Sequence, residues 1–180
     1  MDDRVLSIIK SIQIHTSAKP CKKAVQKLTF LIQELSEDFG FERFDFSIHF
    51  YGPYSAELDL DIRYFHSCDS INISFERNGH LLSVNDDMVD EINELNENAE
   101  TVIKKFASKK ASELELIATT LYVQREIESD AKDDIINGVL RIKGDKYTYN
   151  DIQKAMDELN MNGSSELNSR GCDPIGYSRE

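Results

Sequence analysis

The sequence has no long apolar run. Its uninterrupted hydrophobic stretches are only a few residues long, so no segment is expected to span a bilayer. It begins with the charged residues Met-Asp-Asp-Arg, which argues against a secretory signal. The three cysteines, at positions 21, 68 and 172, form no paired framework, and an odd number suits a reducing compartment. These absences favour a globular protein of the cytoplasm that does not contact membranes.

Recognisable catalytic and metal-binding motifs are also absent. The sequence contains no nucleophile elbow, phosphate-binding loop or dinucleotide fingerprint. His66 and Cys68 come closest to a metal-ligand pair, but no second pair at zinc spacing accompanies them. We interpret Cys68 instead as a small buried hydrophobic residue. We therefore expect no catalytic residue, no metal and no cofactor.

Basic residues are outnumbered, with 21 Lys and Arg against 33 Asp and Glu, and the 180 residues carry a net charge of -12. This acidic total disfavours nonspecific binding of nucleic acid. The charge is unevenly distributed, because residues 4–33 contain no acid and carry +6, which leaves -18 for the rest of the chain. The bases of this segment are Arg4, Lys10, Lys19, Lys22, Lys23 and Lys27.

The spacing of apolar residues predicts two helices at the start of the chain. The first covers residues 4–14, and the second runs from about Pro20, a residue favoured in a first helical turn, to about Leu35. The short polar turn between them is consistent with a helix-turn-helix. The polar face of the second helix consists of Lys22, Lys23, Gln26 and Lys27.

A strand, a corner, a third helix and a hairpin follow. Residues 44–50 alternate strictly between apolar and polar and predict a strand that buries its aromatic side chains. In the corner Tyr-Gly-Pro-Tyr-Ser at 51–55, Gly52 allows unusual dihedral angles and Ser55 caps the third helix. Residues 71–84, with Asn-Gly at their centre, predict a β-hairpin.

The remainder of the chain is predicted to be helical. Residues 86–100 contain seven acids and no base, and lysines follow them, which favours one long helix whose charges match the helix dipole. Ser112 and Glu115 fit a capping box that begins the next helix. Asp130 is placed to cap a further helix, and either Thr148 or Asn150 to begin the last.

These elements predict an α+β, mostly helical fold: a winged helix-turn-helix-like core with a β-hairpin wing and a C-terminal helical extension. Residues 1–84 would form the winged-helix-like part. Residues 85–162 would form a helical part packed on it within one compact domain, and residues 163–180 a flexible tail.

The basic second helix suggests contacts with nucleic acid through Lys19, Lys22, Lys23, Gln26 and Lys27. Lysines neutralise phosphates while the start of a helix approaches bases in the major groove. No Arg or Asn on this helix can make a bidentate contact with a base, and only its glutamines remain for that purpose. The alternative, which we favour, is that these lysines pair with the protein's own acidic segment at 86–100.

Two stretches also carry a family resemblance. Residues 27–33 read Lys-Leu-Thr-Phe-Leu-Ile-Gln, and the Tyr-Gly-Pro-Tyr-Ser corner follows at 51–55. This helix and corner resemble those of the YwgA-like proteins of bacteria and archaea and, more distantly, the Panacea (SocA-like) antitoxin domain, over about residues 5–160. The first resemblance brings no established catalytic residues to carry over, and the second implies binding of a partner toxin. The motif residues that would contact a partner or shape the corner are Tyr51, Gly52, Pro53, Tyr54, Ser55 and Leu58.

We therefore expect a non-enzymatic protein-binding module, an antitoxin-like or regulatory adaptor with a protein partner, in which a homodimer is also open. The alternative is a sequence-specific DNA-binding transcriptional regulator that uses its second helix. A third hypothesis is an enzyme that uses His49, Tyr51 and Tyr54, and it requires a concave pocket beside these residues.

Overall fold

The computed structural model describes residues 3–36, 40–76, 79–88, 92–127 and 131–160. These residues form seven α-helices and two antiparallel two-stranded hairpins, which confirms the predicted α+β, mostly helical fold with a C-terminal helical extension. The helices are α1 (Arg4–Thr16), α2 (Lys22–Leu35), α3 (Ala56–Ser67), α4 (Glu97–Phe106), α5 (Ala111–Glu126), α6 (Lys132–Lys143) and α7 (Tyr149–Asn160). The strands are β1 (Ser47–His49), β2 (Gly52–Tyr54), β3 (Ile71–Glu76) and β4 (Gly79–Val84).

Helix α2 lies at the centre of the fold. It packs against α4 and α5 from the C-terminal part of the chain and against β2 and β4. Its residues from Val25 to Gln33 are all buried, and Leu28, Leu31 and Ile32 are fully inaccessible to solvent. Burial on every side of this stretch makes α2 a core helix, and its two ends reach the surface at Lys23 and at Glu34.

The first hairpin replaces the strand predicted over residues 44–50. Only Ser47–His49 forms a strand, and it pairs with Gly52–Tyr54, so that Ile48 lies opposite Pro53. The corner motif therefore supplies a second strand, although Gly and Pro are both depleted in strands. Ser55 then caps α3 as predicted, because its Oγ accepts a hydrogen bond from the Leu58 N–H at 3.2 Å.

The second hairpin confirms the prediction for residues 71–84. Strands β3 and β4 pair in register from Ile71 opposite Val84 to Glu76 opposite Gly79, while Asn78 lies outside the described residues. The hairpin is fixed to the start of α2, because the Leu82 N–H donates to the Pro20 carbonyl at 2.9 Å. This contact places the tip of the hairpin near the first turn of α2.

The long acidic helix predicted over residues 86–100 is wrong at its start. Residues 86–88 form a single 3-10 turn, and α4 begins only at Glu97. The side chain of Asn96 sets this start by accepting a hydrogen bond from the Ala99 N–H at 2.9 Å. A cap of this kind satisfies a free N–H group at the end of a helix, so the helix begins there.

The predicted capping box of α5 is also misplaced. Glu113, two residues earlier than predicted, accepts a hydrogen bond from the Lys110 N–H at 3.0 Å. Glu115 is 6% exposed and contacts lysines of α6 and the turn after it. The sequence pattern placed the cap correctly to within one turn but assigned it the wrong carboxylate.

Thr148 begins α7 as predicted, since its Oγ1 accepts from the Asp151 N–H at 3.2 Å and Asp151 accepts from the Thr148 N–H at 2.9 Å. Asp130 and the tail at 163–180 lie outside the described residues. One cluster of buried apolar side chains joins both parts of the chain, with Leu31 and Ile117 among its members. The division into residues 1–84 and 85–162 stays a prediction.

Candidate binding cleft

A cleft of about 430 Å³ opens at the start of α2. This volume lies in the usual range for ligand pockets. Four elements line the cleft: the first turns of α2, the β1–β2 hairpin, the start of α3 and the tip of the β3–β4 hairpin. The charged and aromatic side chains of the lining are Lys22, Lys23 and Lys27 of α2, His49, Tyr51 and Tyr54 of the first hairpin, Asp59 of α3 and His80 of the second hairpin.

Lys27 lies at the inner end of the cleft and is 3% exposed. Its Nζ donates a hydrogen bond to the Pro53 carbonyl at 2.6 Å. Burial lowers the pKa of Lys27 from 10.5 to about 8, Glu115 works against this shift, and Lys143 and Lys23 add to it. The amine is therefore mostly protonated at pH 7, and the cleft has a positive charge at its base.

A second buried amine holds the other side of the β1–β2 turn. Lys143 donates to the Phe50 carbonyl at 2.8 Å and to the Glu115 carboxylate at 2.9 Å, and Lys146 donates to the same carboxylate oxygen at 2.7 Å. Burial tends to raise the pKa of Glu115, but the hydrogen bonds from the two lysines outweigh it and lower the pKa. Burial lowers the pKa of Lys143 as well. The turn is therefore anchored through the carbonyls of Phe50 and Pro53.

Gly52 is required by the position of this turn on α5. Its φ of +88° lies in the region that side-chain-bearing residues rarely adopt, and a Cβ atom would lie 2.9 Å from the Thr119 Oγ1. It would also lie 3.3 Å from Cε of Lys27. The Gly-Pro pair of the corner is therefore explained by packing against α2 and α5.

The remaining motif residues divide between the cleft and the core. Tyr51 and Tyr54 line the cleft, and Tyr51 is 48% exposed. Pro53, Ser55 and Leu58 are buried and shape the corner and the start of α3. Pro53, Ser55 and Leu58 thus have a structural role, while contact of Tyr51 and Tyr54 with a partner stays a prediction.

Two glutamines of α2 bind the backbone of neighbouring segments. The Gln26 side chain accepts from the Ser55 N–H at 2.9 Å and donates to the Ser55 carbonyl at 3.0 Å. Gln33, two turns later, makes the same pair of hydrogen bonds with Phe44, both at 2.8 Å. These glutamines lie on one side of α2 and hold the segments that lead into and out of the first hairpin.

The placement of Gln26 and Lys27 on an open polar face is thereby corrected. Each is 3% exposed, and its polar groups bind backbone atoms within the protein. Neither side chain is available to DNA in this conformation, because the β1–β2 hairpin and the segment after it cover that side of α2. Lys19 is exposed but does not line the cleft.

The lysines of the first turn have different environments. Lys22 forms an ion pair with Asp59 of α3, so its partner is not the acidic segment at 86–100 that we predicted. Asp59 is 5% exposed and also pairs with Arg63 at 2.7 Å. Lys23 is exposed, and its Nζ lies 4.0 Å from the centre of the Tyr51 ring.

Two exposed phenylalanines lie beside the cleft. Phe50 is 74% exposed and contacts Tyr51 with a ring-centre distance of 5.0 Å. Phe75 is 78% exposed and contacts His80 at 4.3 Å. We predicted Phe50 to be buried, because it ends the alternating apolar series of residues 44–50, but it follows the last residue of β1 and lies beyond the core. Phe75 likewise lies near the end of its strand, β3. Exposed aromatic residues beside a cavity are typical of an interaction surface.

No metal centre and no membrane-spanning helix occur in the part of the chain that the structure describes. No three His, Cys, Asp or Glu side chains are grouped there so that they could hold a metal ion. None of its helices is both long and apolar enough to cross a bilayer. Cys68 is exposed, which corrects its interpretation as a buried residue, and Cys21 is half-buried.

No family model matches this chain, and no curated protein matches it significantly. The resemblance to YwgA-like proteins and to the Panacea domain therefore stays a prediction.

Proposed function

We propose that this protein is a non-enzymatic, cytoplasmic protein-binding module, and that its cleft at the start of α2 receives a segment of a partner protein. The observation that carries the proposal is the pair of exposed phenylalanines, Phe50 and Phe75, on separate hairpins that line one cleft. Aromatic side chains that lose water on binding contribute a large share of the energy at protein interfaces. The resemblance to the Panacea domain favours a toxin or a regulatory protein as the partner.

The contacts in the cleft favour binding over catalysis. A concave pocket does lie beside His49, Tyr51 and Tyr54, as the enzyme hypothesis requires. However, the His49 ring rests against Tyr54 with a ring-centre distance of 4.9 Å, and the Lys27 amine is bound to a carbonyl. Among the described residues that line the cleft, no hydrogen bond links a nucleophile to a base, which is the arrangement that covalent catalysis needs.

Affinity capture from the native host tests the proposal. The tagged wild type should recover a stoichiometric partner, and the double variant Phe50→Ser/Phe75→Ser should lose it. Leu60→Ser is the matched control, because Leu60 is 63% exposed on α3 and does not line the cleft. Recovery of the wild type alone, or equal loss in the control, would count against the proposal. Circular dichroism melts of all three proteins verify that the substitutions leave the fold intact.

DNA binding is the second candidate, favoured by the exposed first turn of α2 with Lys22 and Lys23 in the cleft and Lys19 nearby. A mobility-shift assay with the DNA upstream of the protein's own gene tests it at low and moderate salt. Phosphate contacts must give a steep decrease of affinity with salt. The absence of any shift at low salt would eliminate this candidate.

A further inference from the structure

We infer that the cleft recognises a carboxylate in an acidic segment of the partner protein, with Lys23 at its mouth as the principal counter-charge. This inference rests on the proposed function and adds to it the chemistry of the partner. The charge of the cleft is opposite in sign to that of the whole chain.

Cations exceed carboxylates among the residues that line the cleft. Lys22, Lys23 and Lys27 line it together with one carboxylate, Asp59, although the whole chain carries -12. Asp59 is already shared between Lys22 and Arg63. The cleft therefore retains a net positive charge that the protein's own acids do not neutralise.

Lys23 is the cation of this group that is positioned for a ligand. It is exposed, lines the cleft and forms no ion pair among the described residues. Its ammonium lies 4.0 Å above the Tyr51 ring, and Lys146 lies 5.8 Å from the same ring. Contact with an aromatic ring restricts a lysine without cancelling its charge. The Tyr51 ring therefore restrains the charged Lys23 ammonium at the mouth of the cleft. Lys27 adds a second positive charge beneath it.

The position of the aromatic side chains indicates what accompanies the carboxylate. Phe50 contacts Tyr51 and Phe75 contacts His80, so an apolar surface adjoins the cationic one on two hairpins. A segment that alternates acidic and apolar side chains would place carboxylates at Lys23 and apolar groups on the phenylalanines. Complementarity of charge and of apolar area would then select the same segment.

The range of electrostatic forces favours a short acidic segment over a nucleic acid. Charges interact over about 8 Å at physiological ionic strength, so a carboxylate within the cleft responds mainly to the local cations. A nucleic acid carries a regular series of phosphates that extends beyond the cleft. Those outer phosphates would meet the field of a protein with a net charge of -12.

Fluorescence anisotropy with labelled peptides tests the inference on the full-length protein. The acidic probe is fluorescein-labelled Glu-Phe-Ser repeated four times, and its matched control is Gln-Phe-Ser repeated four times. We expect the acidic peptide to bind at low ionic strength and the Gln peptide to bind at least about tenfold more weakly. Lys23→Glu should weaken binding of the acidic peptide by a similar factor. Lys132→Glu is the control variant and should leave binding unchanged, because Lys132 is also exposed in the first turn of its helix.

Four results would overturn the inference: no binding of the acidic peptide to the wild type, equal binding of the Gln peptide, equal loss in Lys132→Glu, or tighter binding of a labelled oligo-dT that also depends on Lys23. The partner-capture experiment separates this inference from the proposed function. If the partner is lost with the two Phe→Ser changes but retained by Lys23→Glu, the binding module stands and carboxylate recognition fails. If the wild type captures nothing but binds the acidic peptide through Lys23, carboxylate recognition stands and the proposed function fails.

Discussion

Lys27 makes the stability of this protein depend on pH through a single buried amine. Burial lowers its pKa to about 8 from 10.5, and at 3% exposure little water reaches it. Below pH 8 both the folded and the unfolded chain hold the proton, and the folded chain bears the cost of a buried charge. Between pH 8 and 10.5 only the unfolded chain holds it, so this group makes the free energy of unfolding rise with pH.

The variant Lys27→Met tests this dependence. The difference in unfolding free energy, wild type minus variant, should increase by about 3 kcal/mol between pH 8 and 10.5, since one pKa unit corresponds to about 1.4 kcal/mol. Urea denaturation followed by circular dichroism at a series of pH values measures it. Lys104→Met is the control, because Lys104 is exposed on α4. A difference for Lys27→Met that stays constant with pH would contradict the assignment.

Gly52 combines an unusual backbone conformation with close packing, and the two costs can be separated. Gly52→Ala should lower the free energy of unfolding by about 2–4 kcal/mol, because the new Cβ meets Thr119 and the φ of +88° is unfavourable. Gly79→Ala has a φ of +108° but no atom within 4 Å of the new Cβ, so it should cost only about 1 kcal/mol. Urea denaturation of both variants, and of Gly52→Ala in a Thr119→Ala background, measures the packing part. Equal losses in the two glycine variants would show that packing against α5 contributes nothing.

At the scale of elements, Gln26 joins α2 to the start of α3. Its amide accepts from the Ser55 N–H and donates to the Ser55 carbonyl, and all these groups are buried. Removing a partner from a buried polar group costs more than the hydrogen bond itself contributes. One side chain therefore fixes where the corner ends and α3 begins.

Two substitutions of Gln26 test its connection to Ser55. Gln26→Leu should lower the free energy of unfolding by about 2–4 kcal/mol, because it leaves the Ser55 N–H and carbonyl without partners. Gln26→Glu should cost less only where its carboxyl group is protonated, because the neutral group still accepts from the Ser55 N–H and donates to the Ser55 carbonyl, whereas the ionised group would place a buried charge against that carbonyl oxygen. Gln153→Leu is the control, because this half-buried glutamine of α7 makes no hydrogen bond among the described residues. Thermal and urea melts rank the three variants, and equal losses would contradict the assignment.

Elements governed by neighbouring residues could be predicted from the sequence. Ser55 caps α3 by accepting from the N–H of Leu58, only three residues later. The β3–β4 hairpin follows from the alternation of apolar and polar residues around Asn-Gly. The start of α4 was missed because acidic residues are favourable near a helix N-terminus whether the helix begins at residue 86 or at residue 97. Asn96 decides the start through a single cap, which composition does not reveal.

Only part of the candidate cleft could be predicted from the sequence, because its lining comes from segments that lie far apart in the chain. The corner motif and the lysines of α2 do meet in one cleft. Periodicity, however, assigns Gln26 and Lys27 to a polar outer face, and only the folded chain brings the β1–β2 hairpin over that face. Alternation likewise assigns Phe50 and Phe75 each to the apolar side of its own strand. It does not show that the strand has left the core at that residue. Contacts between distant segments determine all four positions.

At the scale of the whole molecule, the central position of α2 links the two parts of the chain. Its buried side rests on α4 and α5, which belong to the second part. Lys143 of α6 donates to the Phe50 carbonyl of the first hairpin, and Arg125 of α5 donates to the Glu34 carbonyl of α2. The first part therefore depends on the second for its apolar core and for the hydrogen bonds that hold its cleft.

A fragment of residues 1–84 should for this reason fail to fold by itself. Without α4 and α5, the fully buried Leu28, Leu31 and Ile32 would be exposed to water, at a cost of about 1.5–3 kcal/mol for each side chain. That loss is comparable to the total stability of a small domain, so the fragment should show little helical circular dichroism and no cooperative transition in urea. The full chain is the control and should unfold in one cooperative transition. A cooperative transition in the short fragment would show that the winged-helix-like part has a core of its own, and would place the domain boundary between β4 and α4.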